Sequence, residues 1–213
     1  KVYSPTSVTH NTTTDFNNAQ SRNRDVVVTG PQVKQKNVVE HADNNAIDLY
    51  HLENNGNDSS LYGNTLTAVG TPTYSNTIYK IDSYSLVGSD ANYFKPPITT
   101  FPIMPSGTFE TWVYSTSITN NTQTVFYSSD GTNVTSIQIN TAGQFVIKVG
   151  AGLSYTSTTA YLTVNTWTHV ALTWDGSYWR LFLNGVEMDN IQRTNTMPAS
   201  TTGNNYLARH ASA

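Results

Sequence analysis

Between Trp167 and Glu187 the chain reads WTHVALTWDGSYWRLFLNGVE, and this stretch leaves it few ways to fold. Val170, Leu172 and Trp174 alternate with His169, Ala171 and Thr173, the period of a strand with one buried face. Asp175-Gly176 follows, a dipeptide that tolerates the positive φ angles of a hairpin turn. A second alternating run then places Trp179, Leu181 and Leu183 on one face, with Arg180, Phe182 and Asn184 on the other. Asn184-Gly185 supplies another turn before Val186 starts back. An antiparallel hairpin and most of a third strand are predicted, with Val170, Leu172, Trp174, Leu181 and Leu183 in the core.

The rest of the chain repeats this grammar in shorter pieces. Strands are predicted at 46–52, 65–69, 78–81, 84–87, 92–95, 107–115, 123–128, 134–140, 144–149 and 161–164. Asp130-Gly131 and Ala142-Gly143 provide turns, while Pro96, Pro97, Pro102 and Pro105 mark a surface connection, since proline cannot donate to a ladder. No segment shows a sustained helical period. Short strands separated by glycine-bearing turns make the fold class all-β, a sandwich or barrel.

Several blocks also carry a family resemblance. Trp167-Thr168-His169-Val170-Ala171, the Asp175-Gly176 turn and Leu183-Asn184-Gly185-Val186 resemble the central hairpin of the laminin-G-like, concanavalin A-like jelly rolls. Phe109-Glu110-Thr111-Trp112-Val113 resembles that family's early core strand. Leu49-Tyr50-His51-Leu52 with Asn57-Asp58-Ser59-Ser60 resembles its opening, and Tyr206-Leu207-Ala208-Arg209 the strand after the hairpin. The resemblance implies an antiparallel two-sheet jelly-roll sandwich, assigned to residues 44–213, and the polar composition of residues 1–43 makes them an extended N-terminal arm. It also implies a further strand after Tyr206–Arg209 that the sequence up to Ala213 does not supply. That strand is expected from a continuation of the chain, from residues 1–40 or from another chain. Because the superfamily spans lectins, glucanases, adhesion modules and virion proteins, the resemblance speaks to fold more than to function.

Only 12% of the chain is charged, against about 25% in typical domains, and Ser, Thr, Asn and 13 tyrosines fill the gap. Such a surface suits a secreted, cell-surface or virion protein. A formal charge of -3 and the absence of any basic run argue against nucleic acid as a partner. With no cysteine there is neither a disulfide framework nor a thiolate metal site. No apolar run is long enough to span a bilayer and no signal-peptide pattern opens the chain. Lys1 in place of a start methionine points to processing or to a segment of something longer.

The arm is Thr-, Asn- and Ser-rich without periodicity, too polar to offset its own ordering entropy. It is expected to lie along its own sandwich or on a neighbouring subunit. Asp25, Val26, Val27 and Val28 form its one strand candidate, suited to adding to an exposed sheet edge as an assembly contact.

Chemistry is sparse. Glucanases of the superfamily use two carboxylates in a Glu-x-Asp-x-x-Glu spacing, flanking a glycosidic bond. Glu187-Met188-Asp189-Asn190-Ile191-Gln192 is nearly that string, but its last position is Gln, which neither attacks nor exchanges a proton. The five histidines are scattered and no nucleophile elbow appears. Catalysis is therefore not expected. Calcium is the one cofactor the resemblance brings in, held in such jelly rolls by rim-loop oxygens, and Asn54, Asn57 and Asp58 are the best cluster for it. Asx residues also make turns for purely local reasons. A glycan site would use aromatic platforms, for which Tyr127, Tyr155, Tyr161 and Tyr178 are the candidates. Tyr178 is assigned to the outside because Trp179 shares parity with Leu181; Trp112, Trp167 and Trp174 are assigned to the core. The reading is a non-catalytic recognition or structural module. A virion surface or fibre protein, as of a phage, comes first, a secreted or cell-surface adhesion module second, and a degenerate polysaccharide hydrolase last.

Overall fold

A computed structural model of the protein describes residues 46–97, 105–118, 122–150, 154–157, 159, 161–192 and 205–210. Every regular element among them is a strand: β1 (Thr67–Val69), β2 (Thr73–Ser75), β3 (Ser85–Val87), β4 (Tyr93–Lys95), β5 (Gly107–Val113), β6 (Gln123–Ser129), β7 (Val134–Ile139), β8 (Phe145–Gly150), β9 (Ser154–Thr156), β10 (Thr168–Trp174), β11 (Tyr178–Leu183), β12 (Val186–Gln192) and β13 (Tyr206–His210). They form a seven-stranded sheet in the order β1-β4-β13-β6-β7-β8-β9, a four-stranded sheet in the order β12-β11-β10-β5, and a separate β2-β3 hairpin. All pairings are antiparallel. This is the all-β jelly-roll sandwich the sequence predicts.

The central hairpin behaves as its alternation requires. Val170 lies opposite Leu183, Leu172 opposite Leu181 and Trp174 opposite Trp179, and all six side chains are buried. The two indoles stack at 5.0 Å. Asn184 and Gly185 both take positive φ, 51° and 79°, the geometry a two-residue turn needs to follow the strands' right-handed twist. The seven-stranded sheet contributes Phe126, Ile137, Ile139, Phe145, Ile147 and Val149 to the same core. Burying each such side chain stabilises the fold by roughly 1.5–3 kcal/mol, which has to suffice without cross-links. Gly107 shows how tight the joint is: a Cβ there would sit 2.5 Å from the Trp174 ring.

Several short predicted strands are absent, for local reasons. The 46–52 segment makes only a single bridge, Tyr50 to Asp58, because positive φ at Leu52 and Asn54 turns the chain away. Residues 78–81 form a loop instead, started by Ser75 Oγ accepting from the Thr77 and Ile78 amides. Residues 161–164 pack without pairing, although Leu162 is buried. Trp112 is a correction. It pairs with His169 across β5 and β10, and since Val170 faces the core, Trp112 and His169 face outward. Their rings pack at 5.1 Å, with Lys80 Nζ 4.2 Å above the indole. Trp167 is only half-buried and packs on Tyr114. The predicted arm, with Asp25, Val26, Val27 and Val28, lies outside the described residues.

Candidate functional site

Alternation sorts the seven-stranded sheet into two faces. Phe94, Phe126 and Ile147 point into the core, so Tyr93, Lys95, Tyr127 and Lys148 point away from it. Tyr206 lies opposite Tyr127, Tyr127 opposite Ser136, and Ser136 opposite Lys148. One row therefore crosses four strands on the outer face.

The tyrosines pack as a unit. Tyr127 and Tyr206 stack at 4.5 Å with 2° between their planes, and Tyr93 meets Tyr206 edge-on at 6.0 Å. Arg209 Cζ lies 5.0 Å from the Tyr206 ring and 5.1 Å from that of Tyr93. Regular alternation would send Arg209 toward the core, because Leu207 packs there. Ala208 prevents this. It adopts φ 53° and drops out of the ladder, so that Leu207 pairs with Phe126 and Arg209 with Thr124. A non-glycine residue in this region is strained, and strain of this kind collects at functional sites. Burial, followed by the neighbouring Tyr127, pushes the Tyr206 phenol upward, partly offset by Arg209. The phenol is thus a neutral donor at physiological pH.

Of the four tyrosines chosen from sequence, only Tyr127 belongs to this cluster. Tyr155 sits opposite Ile147 and packs against the core, as does Tyr161. Tyr178 lies on the other sheet, pairing with Gln192, and Arg180 Cζ stands 5.2 Å from its ring. Tyr93 and Tyr206 were missed. Alternation places each outward, but their adjacency to Tyr127 depends on β13 inserting between β4 and β6, which no local pattern announces.

The calcium candidates take part in local turn structure. Asp58 Oδ1 accepts from the amides of Leu49 and Ser60, and Oδ2 from the Ser60 hydroxyl and the Asn64 amide. Four donors thus occupy the four acceptor sites of the carboxylate. Partial burial alone would raise its pKa, but these hydrogen bonds hold it below the usual carboxylate range. Asn54 is a positive-φ turn residue, and the Asn57 backbone N–H donates to Asn55 Oδ1. Asp130 likewise binds the Thr132 and Asn133 amides of its turn. Asp175 binds those of Ser177 and Tyr178 and pairs with Arg180 at 2.6 Å. No cluster of three or more His, Asp or Glu side chains that could hold a metal occurs among the described residues.

Paired acids fare no better. Next to Asp58, Asp48 is pushed up to about 6, first by burial, then by Asp58 acting against hydrogen bonds from Tyr50 and Asn64. Two carboxylates driven apart in pKa can mark an acid/base pair, yet Asp58 is saturated and has no lone pair for a substrate. At the near-glucanase string, a register shift between Leu181 and Phe182 puts Glu187 opposite Phe182 and Asp189 opposite Leu181.

Residues 88–213, more than half of the chain, match the family model described as the concanavalin A-like lectin/glucanases superfamily. The chain belongs to that superfamily. The match takes in β4 through β13, including every strand of the tyrosine cluster. No curated protein matches by sequence. Among solved structures of this superfamily's fold, the chain is similar to domain 4 of AbnA, a GH43 extracellular arabinanase from Geobacillus stearothermophilus, solved with arabinotriose. The identity there is 19% and the TM-score 0.55, over 73% of this chain and 78% of the other. It is also similar to botulinum neurotoxin type C, whose cell entry depends on two ganglioside molecules. That match has 15% identity and a TM-score of 0.53, covering 78% of this chain and about half, 48%, of the neurotoxin chain. At these identities the likeness is one of fold.

Proposed function

We propose that the chain is a non-catalytic glycan-binding module whose binding surface is the outer face of the seven-stranded sheet around Tyr127 and Tyr206. The observation that carries this reading is the Tyr93–Tyr206–Tyr127 cluster with Arg209 laid against it. Tyrosine offers an apolar ring and a polar tip, suited to the mixed C–H and O–H surface of a sugar. Strands hold the rings in place, so little ordering cost falls on binding. Catalysis is disfavoured on the same face, since none of the seven strands contains an Asp or Glu, and most glycoside hydrolases work through a pair of such acids.

The test is a broad glycan array, followed by titration of the best ligands against wild type, Tyr127→Ala and Tyr206→Ala. Circular dichroism would confirm that each variant is folded. Binding is expected to fall about tenfold or more in each, the scale of losing an aromatic anchor. A folded wild-type protein that binds no glycan, or variants that bind as wild type does, would overturn the proposal.

The setting we propose lies outside a cell, at a virion surface or fibre or as a secreted or cell-surface module. The low charge and the Asn-, Thr- and Tyr-rich composition support an exterior setting. Within it, residues 1–43, and Asp25–Val28 above all, are the proposed contact to neighbouring subunits. Deleting them should leave a folded monomer of lower assembly mass in light scattering. An unchanged mass would end that part of the proposal.

A further inference from the structure

The charges carried by the strands are divided unevenly between the two sheets. The strands of the four-stranded sheet contain Glu110, Glu187 and Asp189 against a single arginine, Arg180. The seven strands of the other sheet contain Lys95, Lys148 and Arg209 and no Asp or Glu. In sequence these cations are far apart, which is why no basic run is visible. Folding gathers them on one face. Lys95 and Lys148 share strands with core residues Phe94, Ile147 and Val149 and therefore point outward, and Arg209 is turned outward by Ala208. Of the acids in the flanking loops, Asp130 is taken up by its own turn.

We infer that the ligand of this face is an anionic saccharide, one whose sugars carry carboxylate or sulfate groups. The inference rests on the glycan reading above and adds the charge of the ligand to it. Tyr127 and Lys148 stand on either side of Ser136, whose hydroxyl is fully buried with no hydrogen-bond partner. A sugar ring against Tyr127 would bring an acidic substituent toward Lys148, across the small Ser136 side chain that separates the two. Arg209 offers a second cationic contact at the far side of the tyrosine stack. None of the seven strands carries a carboxylate to compete for these cations, so their local field reaches the ligand although the net charge is -3.

The experiment compares polygalacturonate and sialyllactose (carboxylate), dextran sulfate (sulfate), arabinotriose and soluble β-glucan (neutral), and polyglutamate and single-stranded DNA (anionic, not saccharide). Wild type and Lys148→Gln are each measured at about 0.05 M and about 1 M salt, since salt screens exposed charge over this range. The expected result is preference for one of the acidic saccharide classes, weakened at least about fivefold by high salt and by Lys148→Gln. Which of the two classes binds tells carboxylate from sulfate. Equal or better binding of neutral saccharides, insensitive to salt, would overturn this inference and leave the glycan reading in place. Binding of polyglutamate or DNA as tight as that of the acidic sugars would overturn it as well, as charge attraction without sugar recognition. If no saccharide binds at all, the glycan reading falls and this inference with it.

Discussion

Asp48→Asn should make the protein more stable at neutral pH, and the gain should vanish in acid. Asp48 is a half-buried carboxyl close to Asp58, and its Oδ1 has no hydrogen-bond partner. Burial and then the Asp58 charge raise its pKa from the ordinary 3.8 to about 6, against hydrogen bonds from Tyr50 and Asn64. Between those two values the folded protein binds more protons than the unfolded chain, so stability falls as pH rises through the window. The penalty is complete above about pH 6 and absent below about pH 4. The rise from 3.8 to about 6, at about 1.4 kcal/mol per pH unit, sets a ceiling of roughly 3 kcal/mol. Residual solvent access lowers this to on the order of 1–2 kcal/mol.

Urea denaturation of wild type and Asp48→Asn at pH 4.5, 6.0 and 7.5 reads the effect as a difference, in which other titrations cancel. Asp58, Asp130 and Asp175, all held below the usual range, titrate in the opposite sense but are present in both proteins. The variant should lead by the stated amount at pH 7.5 and by about a third of it at pH 4.5. A difference that does not change with pH, or a less stable variant at pH 7.5, would refute the reasoning.

Leu181→Ala removes a fully buried side chain at the centre of the sandwich and should cost about 2–5 kcal/mol by urea denaturation; a loss below about 1 kcal/mol would contradict its placement. Asp58→Ala strips four donors of their acceptor and should cost on the order of 2–4 kcal/mol. Wild-type melting temperature should not change between calcium and a chelator; a calcium-dependent rise that is lost in Asp58→Ala would restore the cation site.

Legibility followed the range of the interactions. The central hairpin was readable because its partners are neighbours in sequence and Asn184-Gly185 fixes the turn. Parity then placed Trp179 inside and Tyr178 outside. Trp112 is hydrophobic enough to suggest the core, but its place is set by pairing with His169, 57 positions away in the numbering. The candidate site was less legible still. Tyr93, Tyr127 and Tyr206 come from three strands brought together by one non-sequential insertion, and Arg209 joins them through a backbone angle that alternation cannot predict. Tyr155 and Tyr161 looked equally good as platforms, because a tyrosine's composition does not say which face of a sheet it serves.

That backbone angle gives a last test of whether the site is built or incidental. Ala208 holds φ 53°, and a left-handed conformation costs a non-glycine residue roughly 1–2 kcal/mol. Gly88 packs directly beneath it, and a Cβ on Gly88 would collide with the Ala208 carbonyl, a backbone atom that cannot swing aside. Gly88→Ala should therefore shift β13, cost about 1–3 kcal/mol, and weaken saccharide binding by displacing Tyr206 and Arg209 together. Ala208→Gly should do the reverse for stability, relieving strain for a net change between zero and about +1 kcal/mol after the extra chain entropy of glycine. Binding should nonetheless weaken, because Arg209 is then less firmly held against the tyrosines. Stability and binding moving in opposite directions in Ala208→Gly is what a strained, pre-organised site requires. A variant whose binding follows its stability, or Gly88→Ala neutral in both, would make Ala208 an accident of packing and remove strain from the case for this face.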